Sequence, residues 1–178
     1  MDDWSAAFIK VVQAYSVLGY DATHIEAQKL IYFLNRAGQQ LKCHFEKGPY
    51  GPNDQGMKFG IQQMEGHYVT GFGDGGLLEP VSLRPGVAEE ADAFLAATEG
   101  AEAVYGHIDK VCQLIDGYET PYGLELLATV DWVVTQEHAA NEDEAVRLSH
   151  AWSARKAKAL REDHLRIAYR SLAAHGWI

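Results

Sequence analysis

Residues 122–138 constrain the fold more than any other segment, because apolar side chains surround this predicted helix on nearly every side. They are Leu124, Leu126, Leu127, Ala128, Val130, Trp132, Val133 and Val134. A helix that is apolar all round is buried on most sides, so other elements must cover it. The chain has 178 residues, of which 47% are hydrophobic, and this is enough for a core without disulfides. We therefore expect a central helix in a mainly α-helical protein.

Apolar residues recur at helical spacing in further segments along the chain. These predicted helices cover residues 4–18, 24–37, 54–65, 86–98, 101–116, 142–158 and 162–175. Thr23 and Glu26 predict a capping box at the start of the second helix, and Gly38 ends it.

A β-hairpin is predicted between the third and fourth helices. Residues 67–70 and 77–83 are strand-like, the glycine-rich turn 71–76 joins them, and Pro80 favours an edge position for the second strand. Residues 41–46 alternate and predict one more short strand. Three helices followed by a hairpin resemble a winged-helix arrangement. The predicted fold class is mainly α, with a winged-helix-like part (1–84) and an all-helical part (85–178) in a single domain.

Residues 47–52, Lys-Gly-Pro-Tyr-Gly-Pro, predict a shaped loop, because two prolines and two glycines cannot sit inside a helix or a central strand. A loop fixed by prolines presents Lys47 and Tyr50 to a partner with little entropy to lose. Tyrosine is also a favoured interface anchor. The alternative is a structural turn in which Tyr50 covers the core.

The negative charge of the chain is concentrated in its middle. The formal net charge is −10, and residues 86–144 hold fourteen acidic residues against one base, Lys110. This segment repels phosphate and predicts poor nucleic-acid binding, whereas an acidic surface steers toward a basic partner. The alternative is a solvated acidic face that serves solubility. The basic residues of 145–178 are expected to pair with the acidic middle within the fold.

No catalytic motif stands out. Residues 71–76 match G-x-G-x-x-G, but no helix start follows them, so a hairpin turn is favoured over a dinucleotide site. Cys43 and His44 are neighbours on a predicted strand and point to opposite faces, which argues against a nucleophile–base pair. The sequence therefore predicts no catalytic residue, no metal site and no cofactor, and we expect a protein that is not an enzyme.

Composition also predicts the compartment. No apolar run is long enough to span a membrane, and the N-terminal residues lack the features of a signal peptide. The two cysteines, Cys43 and Cys112, make no disulfide framework. A soluble, cytoplasmic protein is expected.

Several ordered motifs resemble the C-terminal domain of DarG antitoxins, and the similarity covers residues 6–178. The motifs occupy residues 26–34, 45–52, 64–68, 71–75, 119–130 and 176–177. Two positions depart from the family pattern, which favours an aromatic residue in place of Asn53 and a tyrosine in place of Phe72. The first half is also distantly similar to the Panacea (SocA-like) antitoxin domain, through its Gln-Lys-Leu-x-Tyr-Phe helix and Tyr-Gly-Pro loop.

The resemblance to DarG implies a bacterial antitoxin domain. In that family the toxin DarT uses NAD to ADP-ribosylate thymidine in single-stranded DNA. A macrodomain of DarG removes the modification, and the C-terminal domain binds and blocks DarT. No macrodomain is expected within residues 1–178, so the resemblance implies the toxin-blocking arm. A macrodomain in cis or in trans is then a further partner.

The acidic surface suggests how such a domain would act. We expect it to occupy the toxin's basic groove for single-stranded DNA as a nucleic-acid mimic, binding no nucleic acid and no membrane itself. Tyr50 and Phe72 are the predicted anchors, with Lys47 beside them. The other predicted contacts are Asp54, Glu65, Asp74, Glu79, Glu89, Glu90 and Asp92.

Two alternatives remain open. One is a Panacea-type antitoxin domain that neutralises a different toxin. The other is a winged-helix DNA-binding autorepressor, which needs a basic recognition helix. Residues 53–65 offer only Lys58 for that purpose, against Asp54 and Glu65.

Overall fold

The computed structural model describes the whole chain except residues 17–18, 40–41, 74–75 and 77–78. Within these described residues the chain is mainly helical. The helices are α1 (Asp3–Tyr15), α2 (His24–Ala37), α3 (Gln55–Met64), α4 (Val87–Ala97), α5 (Glu102–Ile115), α6 (Pro121–Thr135), α7 (Glu142–Ala151), α8 (Ala154–Ala159) and α9 (Glu162–Ala174). The strands are β1 (Ala22–Thr23), β2 (Glu46–Gly48), β3 (Gly51–Asn53), β4 (Val69–Thr70) and β5 (Pro80–Leu83).

Short polar side chains start most of these helices, and α2 has the predicted capping box. The Thr23 hydroxyl accepts from the Glu26 amide, and the Glu26 carboxylate accepts from the Thr23 amide at 2.7 Å. The Thr120 hydroxyl accepts from the Gly123 amide at 2.9 Å, and Pro121 follows at the first helical position of α6.

The strands form a small antiparallel sheet and a separate two-stranded ribbon. The sheet has the order β1–β5–β4, with Ala22 opposite Val81 and Val69 opposite Leu83. The ribbon pairs β2 with β3, so that Lys47 lies opposite Pro52. The segment that carries the two Gly-Pro steps is therefore a tight hairpin.

The expected edge position of the strand containing Pro80 is wrong. β5 lies between β1 and β4. Proline fits there because Pro80 is the first residue of β5, and its partner β1 has only two residues, so little of the ladder depends on the missing N–H.

Two further expected elements differ from the structure. The predicted strand at 41–46 is absent from described residues 42–45, and pairing begins at Glu46. The predicted helix at 142–158 is two helices, because the Ser153 hydroxyl accepts from the Lys156 amide and starts α8 separately.

The apolar helix α6 is buried as its sequence predicts. It packs against α2, α7, α9 and β3, while α1 packs against α2, α4 and α5. Helices of the first 84 residues and of the remainder thus share one apolar core, in which Phe8 of α1 and Leu127 of α6 are fully buried. The contact of α2 with both α6 and β3 positions the site described next.

Candidate functional site

A cavity of about 200 Å³ opens between the N-terminal half of α2 and the β2–β3 hairpin. Its lining exposes more apolar than polar surface, with polar side chains from α2, the hairpin and α3. It includes His24, Gln28, Lys29, Tyr50, Asn53 and Gln55.

Lys29 is the most unusual residue of this lining, because its side chain is charged in water yet only 2% of the residue is exposed. Its Nζ donates to the Pro52 carbonyl oxygen at 2.6 Å. Burial, and secondly the positive charge of Lys156, lower the pKa of Lys29 to about 7. A large fraction of Lys29 is therefore neutral near pH 7.

The hairpin approaches Lys29 closely because residue 51 is a glycine. Gly51 has a φ of +105°, and a Cβ placed there would lie 3.2 Å from Cε of Lys29. A larger residue would be strained and would push against the lysine stem. The predicted shaped loop thus brings the Pro52 carbonyl oxygen to the buried amine of Lys29.

Glu125 of α6 holds two further cations beside Lys29. Its carboxylate accepts from Arg155 at 2.6 and 3.0 Å and from Nζ of Lys156 at 2.6 Å. Lys156 is fully buried and also donates to the Thr129 hydroxyl at 2.9 Å. Burial acts to raise the pKa of Glu125, but the Arg155 and Lys156 contacts outweigh it and leave the pKa below its usual value. Burial lowers the pKa of Lys156, against the opposing effect of Glu125.

The α8 region and the hairpin are also linked directly. The Arg155 guanidinium lies 4.3 Å from the Tyr50 ring centroid and donates to the Pro49 carbonyl at 3.3 Å. The Trp152 indole N–H donates to the Gly48 carbonyl at 3.0 Å. We name Lys29, Glu125, Arg155 and Lys156 the buried charge cluster. It contains three basic side chains, of which Arg155 is the exposed one, and one carboxylate.

A second buried cluster joins α2 to α6. Asp131 is fully buried and accepts from the Tyr32 hydroxyl at 2.5 Å and from Arg36 at 2.8 and 3.0 Å. Arg36 also donates to the Trp177 carbonyl at 3.1 Å. The cluster therefore holds the C-terminal residues against the core.

The two hairpin residues predicted to meet a partner are already engaged within the chain. Nζ of Lys47 lies 2.5 Å from a Glu137 carboxylate oxygen and 4.8 Å from the Trp152 ring centroid. Tyr50 is half-buried beneath Arg155. Of the predicted contacts, Tyr50 alone lines the cavity among the described residues.

Phe72 and Asp54 are not available as exposed contacts, which corrects the prediction. Phe72 is 6% exposed and stacks on His24, with the ring centroids 4.2 Å apart. Asp54 is also 6% exposed, and its carboxylate accepts from the backbone amides of Gly56 and His44. Asp54 therefore starts α3 and fixes the preceding segment.

The remaining predicted acidic residues are dispersed. Glu65 is half-buried and accepts from the amides of Gly71 and Phe72 at 3.2 and 2.9 Å. Glu79, Glu89 and Glu90 are exposed, and Asp92 is exposed and pairs with Lys10 at 2.8 Å. Asp74 lies outside the described residues.

The structure brings together a different set, the buried charge cluster, which the sequence prediction did not single out. Pairing of the basic C-terminal stretch with acidic residues was expected and is present at Glu125, and also at Glu142, which accepts from Arg166 at 3.0 Å and Arg170 at 2.8 Å. The available sequence signal was that Lys29 lies one helical turn from both Ile25 and Phe33.

The described residues contain no group of three or more His, Cys, Asp or Glu side chains placed to hold a metal ion. None of their helices has both the length and the apolar character that crossing a membrane requires.

Comparison with known proteins identifies relatives with an enzyme name. The chain matches no protein-family model. It is 37% identical over 171 residues to the DNA ADP-ribosyl glycohydrolase of Thermus aquaticus, which covers 96% of this chain and 46% of the relative. It is 35% identical over 150 residues to proteins of the same name from Mycobacterium bovis and Mycobacterium tuberculosis, covering 82% of this chain and 43% of each. The chain thus spans slightly less than half the length of the curated relatives it matches.

These names overturn the function expected from the sequence. The relatives are named as glycohydrolases for ADP-ribosyl DNA, and not as toxin-binding antitoxin domains. The expectation of a toxin-blocking domain that mimics DNA and is not an enzyme is therefore wrong, and so is the identification with the toxin-binding domain of DarG. The two alternatives, a Panacea-type antitoxin and an autorepressor, are not supported by these names either.

Proposed function

We propose that this chain is one part of an enzyme that removes ADP-ribose from DNA. The observation that carries the proposal is its 37% identity to the Thermus aquaticus DNA ADP-ribosyl glycohydrolase over 96% of this chain. Because the similarity extends over nearly every element, it supports a shared role in the activity for which the relative is named.

The other part of this enzyme is, in our proposal, a macrodomain joined in cis or bound in trans. More than half of the Thermus aquaticus relative lies outside the match, since the match covers 46% of it. That length is enough for a second domain of ordinary size. The chain then contributes to an activity that both parts produce together.

The charges at the cavity are compatible with such a substrate. ADP-ribose attached to DNA carries phosphate groups. Lys29 lines the cavity, and the partly exposed Arg155 lies over Tyr50 of the same lining. Cations that are partly withdrawn from water form strong charge-assisted hydrogen bonds to phosphate. This region is therefore the part of the described surface that we expect to contact the substrate.

The test measures release of ADP-ribose from an ADP-ribosylated single-stranded oligonucleotide. The samples are the full-length Thermus aquaticus relative, that relative without the region matching this chain, this chain alone, and this chain added back to the shortened relative. We expect the shortened relative to have a lower kcat/KM, and the added chain to restore it. Release by this chain alone would also support the proposal. Equal kcat/KM with and without the matching region, together with no release by this chain, would overturn it.

Three finer features belong to the same proposal. We infer a winged-helix-like arrangement for residues 1–84, supported by the order α1, β1, α2, α3, β4, β5 and by the pairing of β5 with both β1 and β4. We infer a single domain, supported by the packing of α1 on α4 and α5. A cytoplasmic location follows from a substrate that is cellular DNA.

A further inference from the structure

We propose that the cavity beside Lys29 is a binding site for one phosphate-type oxyanion, with Lys29 as its principal ligand. This inference goes beyond the proposed function, because it concerns the binding of an anion and holds whether or not the chain takes part in removing ADP-ribose.

The first support is the unused hydrogen-bonding capacity of Lys29. A lysine ammonium has three N–H donors, and Nζ has one acceptor among the described residues, the Pro52 carbonyl at 2.6 Å. The residue is 2% exposed and lines the cavity, so bulk water reaches the remaining donors poorly. Charging a buried lysine that lacks partners costs free energy, and an anion in the cavity would reduce that cost.

The second support is the charge around the cavity. Lys29 lines the cavity, and outside the lining Lys156 and Arg155 contact one carboxylate, that of Glu125. The described lining contains no carboxylate and supplies neutral donors from three elements, namely Gln28, Asn53 and Gln55. Such a lining attracts an anion and repels a cation.

The third support is size. Sites for drug-sized ligands occupy roughly 300–1,000 Å³, whereas this cavity has about 200 Å³. A single tetrahedral oxyanion suits the smaller volume, and its several oxygens can meet donors from α2, the hairpin and α3 at once. The anion is either free phosphate or one phosphate group of a larger ligand whose remainder lies outside.

Protonation of Lys29 should accompany binding. An anion beside the amine favours its charged form and raises the pKa of Lys29 from about 7. The groups that share this environment are Lys156 and Arg155 of α8, Glu125 of α6, His24 of α2 and Tyr50 of the hairpin. Sulfate is the useful probe, because its own charge does not change near neutral pH.

The experiment is titration calorimetry of the intact chain with sulfate and with inorganic phosphate between pH 6.5 and about 8.5. We expect one site per chain, proton uptake on sulfate binding, and an affinity that falls by up to about tenfold for each pH unit above 7. Uptake is read from the heats in buffers of different ionisation enthalpy. Lys29→Met should weaken binding at least about tenfold and abolish the uptake.

Two further variants keep the test decisive. Lys158→Met removes an exposed lysine of α8 and should leave binding and uptake unchanged. Asn53→Asp places a negative charge in the lining and should weaken sulfate binding even if Lys29→Met does not fold. Binding that is equal in wild type, Lys29→Met and Asn53→Asp, or that is absent in wild type, would overturn the proposal.

Competition separates the two sources of the anion. If ADP-ribose displaces sulfate at a lower concentration than phosphate does, the site takes a phosphate group of a larger ligand. If ADP-ribose competes no better than phosphate, the site takes the free ion.

The anion site and the proposed function are tested by independent experiments. Sulfate binding is measured without any turnover, and the release assay needs no sulfate.

Discussion

At the scale of single residues, the burial of Lys29 makes the stability of the fold depend on pH. The pKa of Lys29 is about 7 in the folded chain against 10.5 for a free side chain. Between these values the unfolded chain binds more protons, so the free energy of unfolding rises with pH. We expect Lys29 to contribute a slope of up to about 1.4 kcal/mol per pH unit from pH 7 to about 9.

The Lys29→Met variant isolates this contribution in urea denaturation at several pH values. Methionine keeps a straight apolar stem and removes the amine, so the variant should lose the rising slope and gain stability below pH 7. The slope of the free energy of unfolding against pH is compared between the variant and wild type. Burial raises the thiol pKa of Cys43 to about 12, so Cys43 contributes an opposite slope above pH 9, and this contribution is common to both proteins. The same slope in both proteins would contradict the assignment, and Lys158→Met serves as the exposed control.

A second prediction concerns the contribution of Asp131 to stability. Its buried carboxylate is shared by Tyr32 and Arg36, so Asp131→Ala leaves a guanidinium and a phenol without their acceptor. Removing one partner of a buried ion pair costs about 3–5 kcal/mol, and we expect a loss of that size in urea denaturation. Asp163→Ala removes an exposed carboxylate that pairs with Arg161 at 2.7 Å and should change stability little. Similar losses in the two variants would contradict this account.

The same residues show what sequence reasoning could reach at this scale. The capping pair Thr23 and Glu26 is local in sequence and was predicted correctly. The partners of Lys29 and Glu125 lie 23 residues away at Pro52 and 31 residues away at Lys156, respectively, and no local pattern relates them. Lysine is seldom fully buried, so a lysine in a helical pattern is ordinarily assigned to the surface.

At the scale of elements, the apolar periodicity of the sequence predicted the helices well and the strands less well. The apolar spacing of 122–138 predicted α6, because a buried helix has apolar residues in each of its consecutive turns. The break between α7 and α8 was missed, since Ser153 can act either as a mid-helix residue or as an N-cap. The central position of β5 was missed because it depends on β1, which lies more than fifty residues earlier and is only two residues long.

The junction of β4 and β5 offers a test of the turn that joins them. Gly71 has a φ of +94°, and a Cβ there would lie only 2.0 Å from the Pro80 carbonyl oxygen. Gly66 has a similar φ of +77° but open space around it. Gly66→Ala should therefore cost about 1–2 kcal/mol from the left-handed conformation alone.

Gly71→Ala should cost about 1–3 kcal/mol more than Gly66→Ala, because the strand containing Pro80 must also shift. Urea denaturation measures the free energy of unfolding of both variants. The cost of the left-handed conformation, which the two variants share, cancels in the difference between them. Equal losses would mean that β5 can move away from residue 71 without disturbing the sheet.

At the scale of the whole molecule, the packing of α1 and α2 predicts that the two parts of the chain cannot fold apart. α1 contacts α4 and α5, and α2 contacts α6, so the first 84 residues supply apolar surface that covers the rest. Phe8 and Leu30 are fully buried in this shared core. Separation would expose both faces to water, which is unfavourable in proportion to the apolar area uncovered.

We therefore expect a single cooperative unfolding transition for the intact chain, with fluorescence and circular dichroism giving the same midpoint. Fragments 1–84 and 85–178 should each lack a cooperative transition, and mixing them should restore one whose midpoint rises with concentration. A fragment 85–178 that unfolds cooperatively with the midpoint of the intact chain would show instead that the helical part is an independent domain. In that case the buried charge cluster, which needs Lys29 of α2 together with Glu125 of α6, would form only when two separate domains dock.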